Sequence, residues 1–575
     1  MTSRPRRASL AVIAAAVLGV TACTGADRGS GTARFNDAAR SVVNPSDHRG
    51  GILRYALPGE PDSFDPGNTY FFNSTRLWAR SLTTYRPRPG KAGLKLVPDL
   101  ATSLGKVSDG GRTWTYTIRS GLRYSDGSAI HAADVKYAVE RSSFAPSVLS
   151  NGPAYLRNLL RDNTPPYRGP YADKSGGLDS IETPNDTTIV FRLNQPFADF
   201  DYVASFPQTA PVPRAKDDGA DYVKHVVSSG SYVLTSYDQN LGAVLVRNHH
   251  WDAATDPIRK QYADEIHIAF NRDQHDIDDD LIAGNLDLDF GGNGMAASSQ
   301  AAIESDPGKK ANTDSNVLGA TDMLQMSRNV KPFDDINCRR AVQYGVDKLS
   351  VQTSIGGPLR GRISSTVLPP TIPGQVDFNL YPSKNDAGDL AKAKDALTRC
   401  GHPDGFDTTL ATIREQPALV SAATSIQASL RRIGIRVRVA VYSFKTGSAG
   451  YLGAPAYVHT HDIGLFVTTW AADWPDGYGF MYPLIDGAAI LPTGNSNLAE
   501  LNDPSINALL RAAVGNGDVE QRTGAWSRID RAVMADASIV PLVYRKELTY
   551  RPPTTTNVTV SLAYAGYDLL NIGRK

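Results

Sequence analysis

Two hydrophobic periods alternate along this chain. Apolar residues recur at every second position, or in short runs between turn residues, in segments such as GGILRYALPG, SYVLTSY and GAVLVRN, which predicts strands. The segment HAADVKYAVERSSF has helical spacing instead, and PALVSAATSIQASLRRIGIRVRVAVYSF predicts an amphipathic helix that turns at Gly434 into an alternating strand. Strand, helix, strand units of this kind predict an α/β body, and no fixed period indicates a repeat array.

The first apolar run differs from all later ones. In RPRRASLAVIAAAVLGVTAC, three arginines precede the run from Leu10 to Val20, and small residues lead to Cys23. This order predicts a secretory signal over residues 1–22, because the run has eleven residues whereas a spanning helix needs about 20. Small residues before a cysteine resemble the lipobox of bacterial lipoproteins, so Cys23 is predicted to become the acylated first residue. An ordinary signal peptide with an incidental cysteine is the alternative.

The stretch after Cys23 predicts a tether. TGADRGSGTARFNDAARS is polar and contains Gly and Ser, so residues 23–49 are expected to be flexible. No later run reaches 18 apolar residues. We therefore expect the rest of the chain to be soluble and extracytoplasmic, anchored to the cell membrane by lipid on Cys23.

Charge and length narrow the range of functions and architectures to be considered. The 60 Lys and Arg balance 59 Asp and Glu, and removal of residues 1–22 with their three arginines changes the net charge from +1 to −2. This balance creates no long-range field for a polyanion, and no basic block is interleaved with aromatic residues, which argues against nucleic-acid binding. A chain of 575 residues exceeds one ordinary core, so two or three lobes are expected.

Two further cysteines, Cys338 and Cys400, would enter an oxidising compartment after export. Cys338 opens one predicted helix, and Cys400 closes another ahead of Gly401, a suitable C′ residue. We predict a disulfide between them, and two buried free thiols are the alternative.

Seven ordered blocks resemble one protein family. They are GGILRYALPGEPDSFDP, LVPDLATSL, DGGRTWTYTIRSGLRYSDGSAIHAADVKYAVER, SGSYVLTSY with VLVRNHHW, LIAGNLDLDF, INCRRAVQYGVDK and TTWAADWPDGYGF. Together they resemble the extracellular solute-binding proteins of family 5, the peptide/nickel-type lipoproteins of ABC importers that include oligopeptide- and dipeptide-binding proteins. The resemblance covers about residues 50 to 550.

The resemblance implies two α/β lobes joined by a hinge, with an additional domain inserted in the first lobe. The blocks map the first lobe to residues 50–90, 226–315 and 545–575, the inserted domain to 91–225 and the second lobe to 316–544. The implied function is capture of extracellular di- and oligopeptides between the lobes and delivery to an ABC permease. Closure over the ligand gives the permease a state to sense. We expect a monomer without a cofactor.

Asp473 is the sharpest candidate for a ligand contact. In peptide-binding relatives the aspartate of a W-x-x-D segment binds the amino terminus of the ligand, and Asp473 matches that position. A carboxylate that faces an ammonium group in a partly dry cleft forms a strong charge-assisted hydrogen bond. A turn cap or a pair with lysine is the alternative. The resemblance also assigns Trp470 to the pocket wall, and Trp474 is a weaker candidate because buried structural indoles are common.

Four more candidates for substrate binding follow or lie in the first strand, where the first lobe of the family faces the cleft: Tyr55, Phe71, Phe72 and Asn73. Core packing explains the aromatic residues equally well. No arginine that would bind a ligand carboxylate can be assigned by motif.

Enzyme and metal signatures are weak. HExxH, GxSxG, GxxxxGK[ST] and a paired SxxK do not occur, so we predict a binding protein and not an enzyme. His459 and His461 would share one face of a strand, but surface or packed histidines explain them better, and no metal site is predicted. Capture of a metal chelate, haem or oligosaccharide stays open. A secreted peptidase or a structural envelope protein is less favoured.

Replacement of Cys23 tests the predicted anchor. Cys23→Ser should leave the chain unprocessed or release it from the membrane fraction, because serine offers no thiol for acylation. Cell fractionation and mass spectrometry of the N terminus measure this outcome. A variant that remains acylated and membrane-bound contradicts the lipobox interpretation.

Overall fold

A computed structural model describes residues 34–173, 176–443 and 451–575 of the chain. The predicted signal over residues 1–22 and Cys23 lie outside the described residues. Among the residues described, no helix combines the length and the apolar character needed to cross a membrane.

The strands are numbered in chain order as β1 (Ile52–Ala56), β2 (Thr83–Tyr85), β3 (Leu96–Pro98), β4 (Lys106–Ser108), β5 (Thr113–Thr117), β6 (Ile181–Asn185), β7 (Thr188–Arg192), β8 (Tyr232–Asp238), β9 (Gly242–Arg247), β10 (Glu265–Ala269), β11 (Leu288–Asp289), β12 (Thr313–Met326), β13 (Gly361–Ile363), β14 (Asp407–Ile413), β15 (Arg436–Tyr442), β16 (Ile463–Ala471), β17 (Ile539–Tyr550), β18 (Thr555–Thr556), β19 (Val560–Ser561), β20 (Gly566–Tyr567) and β21 (Gly573–Arg574).

The α-helices are α1 (Phe72–Thr75), α2 (Ala132–Phe144), α3 (Tyr155–Leu159), α4 (Phe200–Val203), α5 (Gln274–Ala283), α6 (Ala297–Glu304), α7 (Pro307–Ala311), α8 (Ile336–Gly345), α9 (Lys348–Ser354), α10 (Leu390–Arg399), α11 (Pro417–Arg431), α12 (Pro455–Thr460), α13 (Gly477–Ile485), α14 (Pro504–Val514) and α15 (Val519–Asp536). The helix predicted from HAADVKYAVERSSF is confirmed as α2, and the predicted helix and strand on either side of Gly434 are confirmed as α11 and β15.

The sheet of the first lobe has the strand order β11–β1–β10–β9–β8. β1 runs parallel to β10 and β11, whereas β8, β9 and β10 pair antiparallel. Alternation along β1 buries Leu53 and Tyr55 and exposes Arg54, as expected for a strand with one face on a core. These strands fall within the ranges predicted for the first lobe.

The sheet of the second lobe has the order β13–β17–β12–β16–β14–β15. The parallel neighbours β14 and β15 are joined by α11, which forms the crossover that parallel pairing requires. α11 buries Leu419, Ala422, Ile426 and Leu430, a spacing that places one apolar stripe against the sheet. The predicted α/β class is therefore confirmed.

Strands β12 and β17 connect the two lobes. They pair antiparallel from Thr313 opposite Tyr550 to Gln325 opposite Ile539, with an irregularity between Val317 and Thr321. The first part of β12 contacts the first lobe, and the last part lies inside the second sheet. These strands are where the chain passes between the lobes, and the hinge itself stays a prediction.

The inserted domain contains a sheet of order β4–β5–β7–β6 and the helix α2. α2 fastens it to the first lobe, because the Arg141 guanidinium donates to both carboxylate oxygens of Asp65 at 2.8 Å. Arg141 also donates to Asp217 at 3.0 Å. Both contacts are buried, so the inserted domain and the first lobe are held together by a fully enclosed ion cluster.

Residues 34–49 differ from the predicted tether. Ala38 and Val43 are buried, Val43 pairs with Val558, and the amide of Ala38 donates to Asp314 at 3.0 Å. The composition of this stretch is polar enough for a tether, but distant partners supply its backbone hydrogen bonds. The structure therefore places residues 34–49 on the body of the protein, and the predicted tether over 23–49 extends too far.

Cys338 and Cys400 form a disulfide with Cα atoms 5.5 Å apart. Cys338 lies on α8 and is buried, and Cys400 follows α10, which packs against α8. The bridge joins two helices that cover the same face of the second sheet.

Loss of this bridge should destabilise the second lobe. In Cys338→Ala/Cys400→Ala the free energy of unfolding should fall by up to about 4 kcal/mol, because a bridge across 62 residues restricts the unfolded chain. Chemical denaturation measures this change. Denatured, non-reduced wild-type protein should also resist thiol labelling, and labelling of both cysteines under those conditions would contradict the bridge.

Candidate functional site

A cavity of about 360 Å³ lies where the first lobe faces the second. The first lobe contributes residues 70–74, the loop that follows β11, and a C-terminal segment over residues 563–569. The second lobe contributes residues 471–473 at the end of β16. Its wall is largely aromatic and apolar with a few polar groups, as is usual for small-ligand sites.

Asp473 is the carboxylate that the second lobe presents to this cavity. It follows β16, and it is positioned because β16 pairs with β12, where Ala471 lies opposite Ala320. Burial raises the pKa of the Asp473 carboxyl to about 6. A hydrogen bond, and not a basic side chain, opposes this rise in pKa. In the described chain, therefore, no cation of the protein neutralises the Asp473 carboxylate.

That hydrogen bond comes from the hydroxyl of Tyr155, which donates to Asp473 Oδ2. Tyr155 begins α3 of the inserted domain, and its ring packs edge-on against Trp474 at 4.8 Å. Tyr70 lies at the rim of the cavity and is half exposed. The loss of water around its buried half, together with the negative charges of Asp473 and Asp62, raises the pKa of its phenol to about 12. Neutral hydroxyls beside the carboxylate leave its negative charge available for a cationic ligand group.

The two tryptophans have structural contacts. The indole nitrogen of Trp470 donates to the carbonyl of Phe480 at 2.9 Å and so ties β16 to α13. Trp474 is 2% exposed, and its indole nitrogen donates to Asp199 at 2.9 Å. Neither side chain lines the cavity.

The other four predicted residues divide between wall and core. Phe71, Phe72 and Asn73 line the cavity. Asn73 donates to the carbonyl of Tyr567 at 2.7 Å, so it holds the C-terminal segment against the site. Tyr55 lies in the core beneath the wall, where it stacks on Phe290 at 6.0 Å.

Sequence reasoning missed Tyr155 and the glycine-rich loop after β11. In this loop Asp289 accepts backbone N–H groups of Gly291 at 2.9 Å and Gly292 at 3.1 Å, and burial raises the pKa of its carboxyl to about 6. The run GGNG was the available signal, because an aspartate followed by glycines is typical of a tight loop. No local pattern marks Tyr155, since it lies in a different domain from Asp473.

The two histidines of the metal alternative have separate partners. His459 Nε2 lies 2.7 Å from Glu500, and His461 stacks on Tyr457 at 3.8 Å. In the part of the chain that the structure covers, no group of three or more His, Cys, Asp and Glu side chains is arranged to hold a metal ion.

Comparison with known proteins identifies relatives of the whole body. The sequence model of the "Bacterial extracellular solute-binding proteins, family 5 Middle" matches residues 95–490. The glutathione-binding protein GsiB of Salmonella paratyphi A is 25% identical over 451 residues, which cover 76% of this chain and 79% of that protein.

Two of the solved structures with a similar fold illustrate the likeness. The "Clavulanic acid biosynthesis oligopeptide binding protein 2" is 41% identical, with a TM-score of 0.92 over 94% of this chain and 99% of that one. The Helicobacter pylori periplasmic binding protein DppA, solved with the peptide STSA, is 20% identical, with a TM-score of 0.71 over 92% of this chain and 99% of that one.

The raised pKa of Asp473 predicts that wild-type protein and Asp473→Asn differ in stability by an amount that depends on pH. The fold favours the protonated carboxyl, so wild-type protein loses stability as the pH rises from about 4 to 6 and stays at that lower stability above 6. Asp473→Asn avoids this loss. Its free energy of unfolding should exceed that of wild type by about 1–2 kcal/mol at pH 7.5, reduced from the full value by solvent in the cavity, and by much less at pH 4.

Denaturant titrations at both pH values measure this difference. Asp186→Asn is a suitable control, because the Asp186 side chain is 86% exposed and its replacement should change stability little at either pH. A stability difference for Asp473→Asn that is equal at pH 4 and pH 7.5 would contradict the raised pKa of the Asp473 carboxyl.

Proposed function

The chain belongs to the bacterial extracellular solute-binding proteins of family 5, and from this premise we propose that it captures extracellular peptides for an ABC importer. In this proposal the ligand lies in the cavity between the lobes, and the closed form delivers it to the transmembrane subunits of a permease. The protein is held to the cell membrane by lipid on Cys23 and acts as a monomer.

The observation that carries the proposal is the charged state of the cavity wall. Asp473 presents a carboxylate to the cavity, its hydrogen bond comes from the neutral hydroxyl of Tyr155, and its pKa of about 6 leaves it ionised at neutral pH. A half-buried carboxylate without a cationic partner becomes more stable when a cation enters. The amino terminus is a cation that every unmodified peptide carries, so its recognition suits a receptor that accepts many side chains.

Two features of the relatives support a peptide ligand. The name of the 41% identical structure describes an oligopeptide-binding protein, and the fold is shared with a binding protein solved with the peptide STSA. The aromatic wall formed by Phe71, Phe72 and Phe290 offers apolar surface to ligand side chains without selecting one charge.

Mass spectrometry of copurified ligand is the direct test. Protein made in its native host should release peptides on denaturation. A sugar or a metal chelate would replace the proposal by another ligand class, and turnover of a peptide with loss of activity on mutation of one nucleophile would indicate a peptidase.

Asp473→Asn should weaken peptide binding about 10- to 100-fold at pH 7.5. A hydrogen bond to a charged group contributes about 1.5–3 kcal/mol, and about 1.4 kcal/mol is one decade of affinity. Affinity of the wild type should also fall as the pH decreases through about 6, because protonation removes the charge of Asp473. Calorimetry with one peptide measures both effects.

An N-acetylated form of the same peptide completes a double-mutant cycle. It should lose similar affinity on the wild type and little more on Asp473→Asn, because both changes remove one interaction. Asp186→Asn serves again as the matched exposed control and should bind both peptides as wild type does. Additive losses, or undiminished binding of the acetylated peptide, would overturn the role of Asp473.

A further inference from the structure

The segment that follows Asp473 joins the second lobe to the inserted domain. The ring of Trp474 leaves the second lobe and packs among rings of the inserted domain, with Tyr155 at 4.8 Å and Phe206 at 6.0 Å. A backbone hydrogen bond from the amide of Ala198 to the carbonyl of Val514 at 3.1 Å crosses the same boundary. The two domains thus share one hydrophobic cluster.

A buried ion cluster lies at the centre of this contact. Arg522 of the second lobe pairs with Asp199 of the inserted domain at 3.1 Å, and its Nε lies 3.7 Å from Asp476. Trp474 donates its indole N–H to the other oxygen of Asp199 at 2.9 Å. Asp199, Arg522 and Trp474 are each at most 5% exposed. Burial and the neighbouring Asp476 raise the pKa of Asp199, whereas Arg522 lowers it.

The inserted domain is attached to the first lobe by several hydrogen bonds, so the two are expected to move together. Besides the Arg141–Asp65 pair, Thr83 donates to the carbonyl of Asp201 at 2.7 Å and Ser81 donates to that of Phe206 at 3.0 Å. A separation of the lobes therefore has to withdraw Trp474 from the inserted domain and break the contact of Arg522 with Asp199. Breaking a buried pair leaves charges that the closed contact had satisfied.

We propose that Asp199, Arg522 and Trp474 form a clamp by which the inserted domain holds the two lobes closed. The clamp is adjacent in sequence to Asp473, the carboxylate proposed to bind the ligand, because Trp474 follows Asp473 directly. A ligand that fixes Asp473 also fixes the segment that carries Trp474, so occupancy of the cavity favours the clamped state. This coupling rests on the proposed function, whereas the clamp itself does not depend on the identity of the ligand.

The first test measures the distance between the lobes without added peptide. Spin labels are placed in the full chain at the exposed positions 241 and 491 through a ketone-bearing residue, which leaves the cysteines unchanged. Asp199→Asn keeps the shape of the side chain but removes its charge, and pulsed electron paramagnetic resonance should show a shift to longer distances. Trp474→Phe keeps an aromatic ring but removes the N–H donor, and it should give a smaller shift in the same direction.

Asp536→Asn is the matched control. Asp536 pairs with Arg339 at 3.2 Å, and both residues lie in the second lobe, so its replacement should lower thermal stability without changing the distance. A distance distribution for Asp199→Asn and Trp474→Phe equal to that of wild type overturns the clamp. A wild-type distribution already as long as that of Asp199→Asn also overturns it.

The second test measures release of a bound peptide by stopped flow. Asp199→Asn should release the peptide at least about 10-fold faster than wild type, with a nearly unchanged association rate, because interactions formed after docking act on dissociation. Equal release rates would overturn the coupling. If the N-acetyl cycle excludes Asp473 as the peptide contact but the distances still shift, the clamp stands and the proposed ligand is wrong.

Discussion

The pairing of β12 with β17 is the constraint on which the site depends. Both strands extend across the boundary between the lobes. Their hydrogen bonds therefore fix the position of the second sheet relative to the first lobe. β16 pairs with β12, and its last residue Ala471 precedes the two cavity residues Ala472 and Asp473. On the other side, β17 ends at Tyr550, which also lines the cavity. One antiparallel ladder therefore connects the two sides of the cavity, and it contains two irregularities of the kind that bends strands.

Acidic side chains outside the cavity have different partners from Asp473 in the cavity wall. Two buried carboxylates outside the cavity have arginine partners: Asp65 pairs with Arg141, and Asp314 pairs with Arg551 at 2.8 Å. Asp473 is held by a tyrosine hydroxyl instead. An arginine would have stabilised the fold but neutralised the carboxylate, and a ligand ammonium would then have no charge to bind. The raised pKa of Asp473 is consistent with stability given up for binding.

Local pattern predicted local structure well, and distant contacts poorly. The helical spacing around Ala133 and the alternating strand after Gly434 depend on neighbouring residues, and Gly434 has the positive φ of 90° that its turn requires. Tyr155 could not be found in this way, because it lies 318 positions from Asp473. Asp473 itself came from family resemblance, and nothing in its neighbours distinguishes it from a turn cap.

The predicted tether and the predicted tryptophans of the pocket wall differ from the structure for two further reasons. Residues around Ala38 have the composition of a linker, but their backbone groups find partners in Asp314 and Val558, and composition does not report such partners. The W-x-x-D segment draws attention to residues 470–473, of which residues 471–473 line the cavity, whereas Trp470 supports β16 from outside it. A motif fixes which residues are near one another, whereas the sheet decides which of them reaches the ligand.

The free energy of closure links these elements. To convert a two-state protein from almost entirely open to almost entirely closed, a ligand must bind the closed state by about 5.5 kcal/mol more tightly. In the proposed function, one charged hydrogen bond at Asp473 supplies about 1.5–3 kcal/mol of that difference. The rest of that difference has to come from further contacts with the ligand. Contacts between the lobes, such as the buried cluster around Asp199 and Arg522, instead populate the closed state without a ligand and so reduce the difference that the ligand must supply. If contacts between the lobes supplied the whole amount, the protein would close without a ligand and a permease could not distinguish loaded from empty. Under the proposed function, the contact between the inserted domain and the second lobe therefore has to be strong enough to assist closure and weak enough to leave the empty protein open.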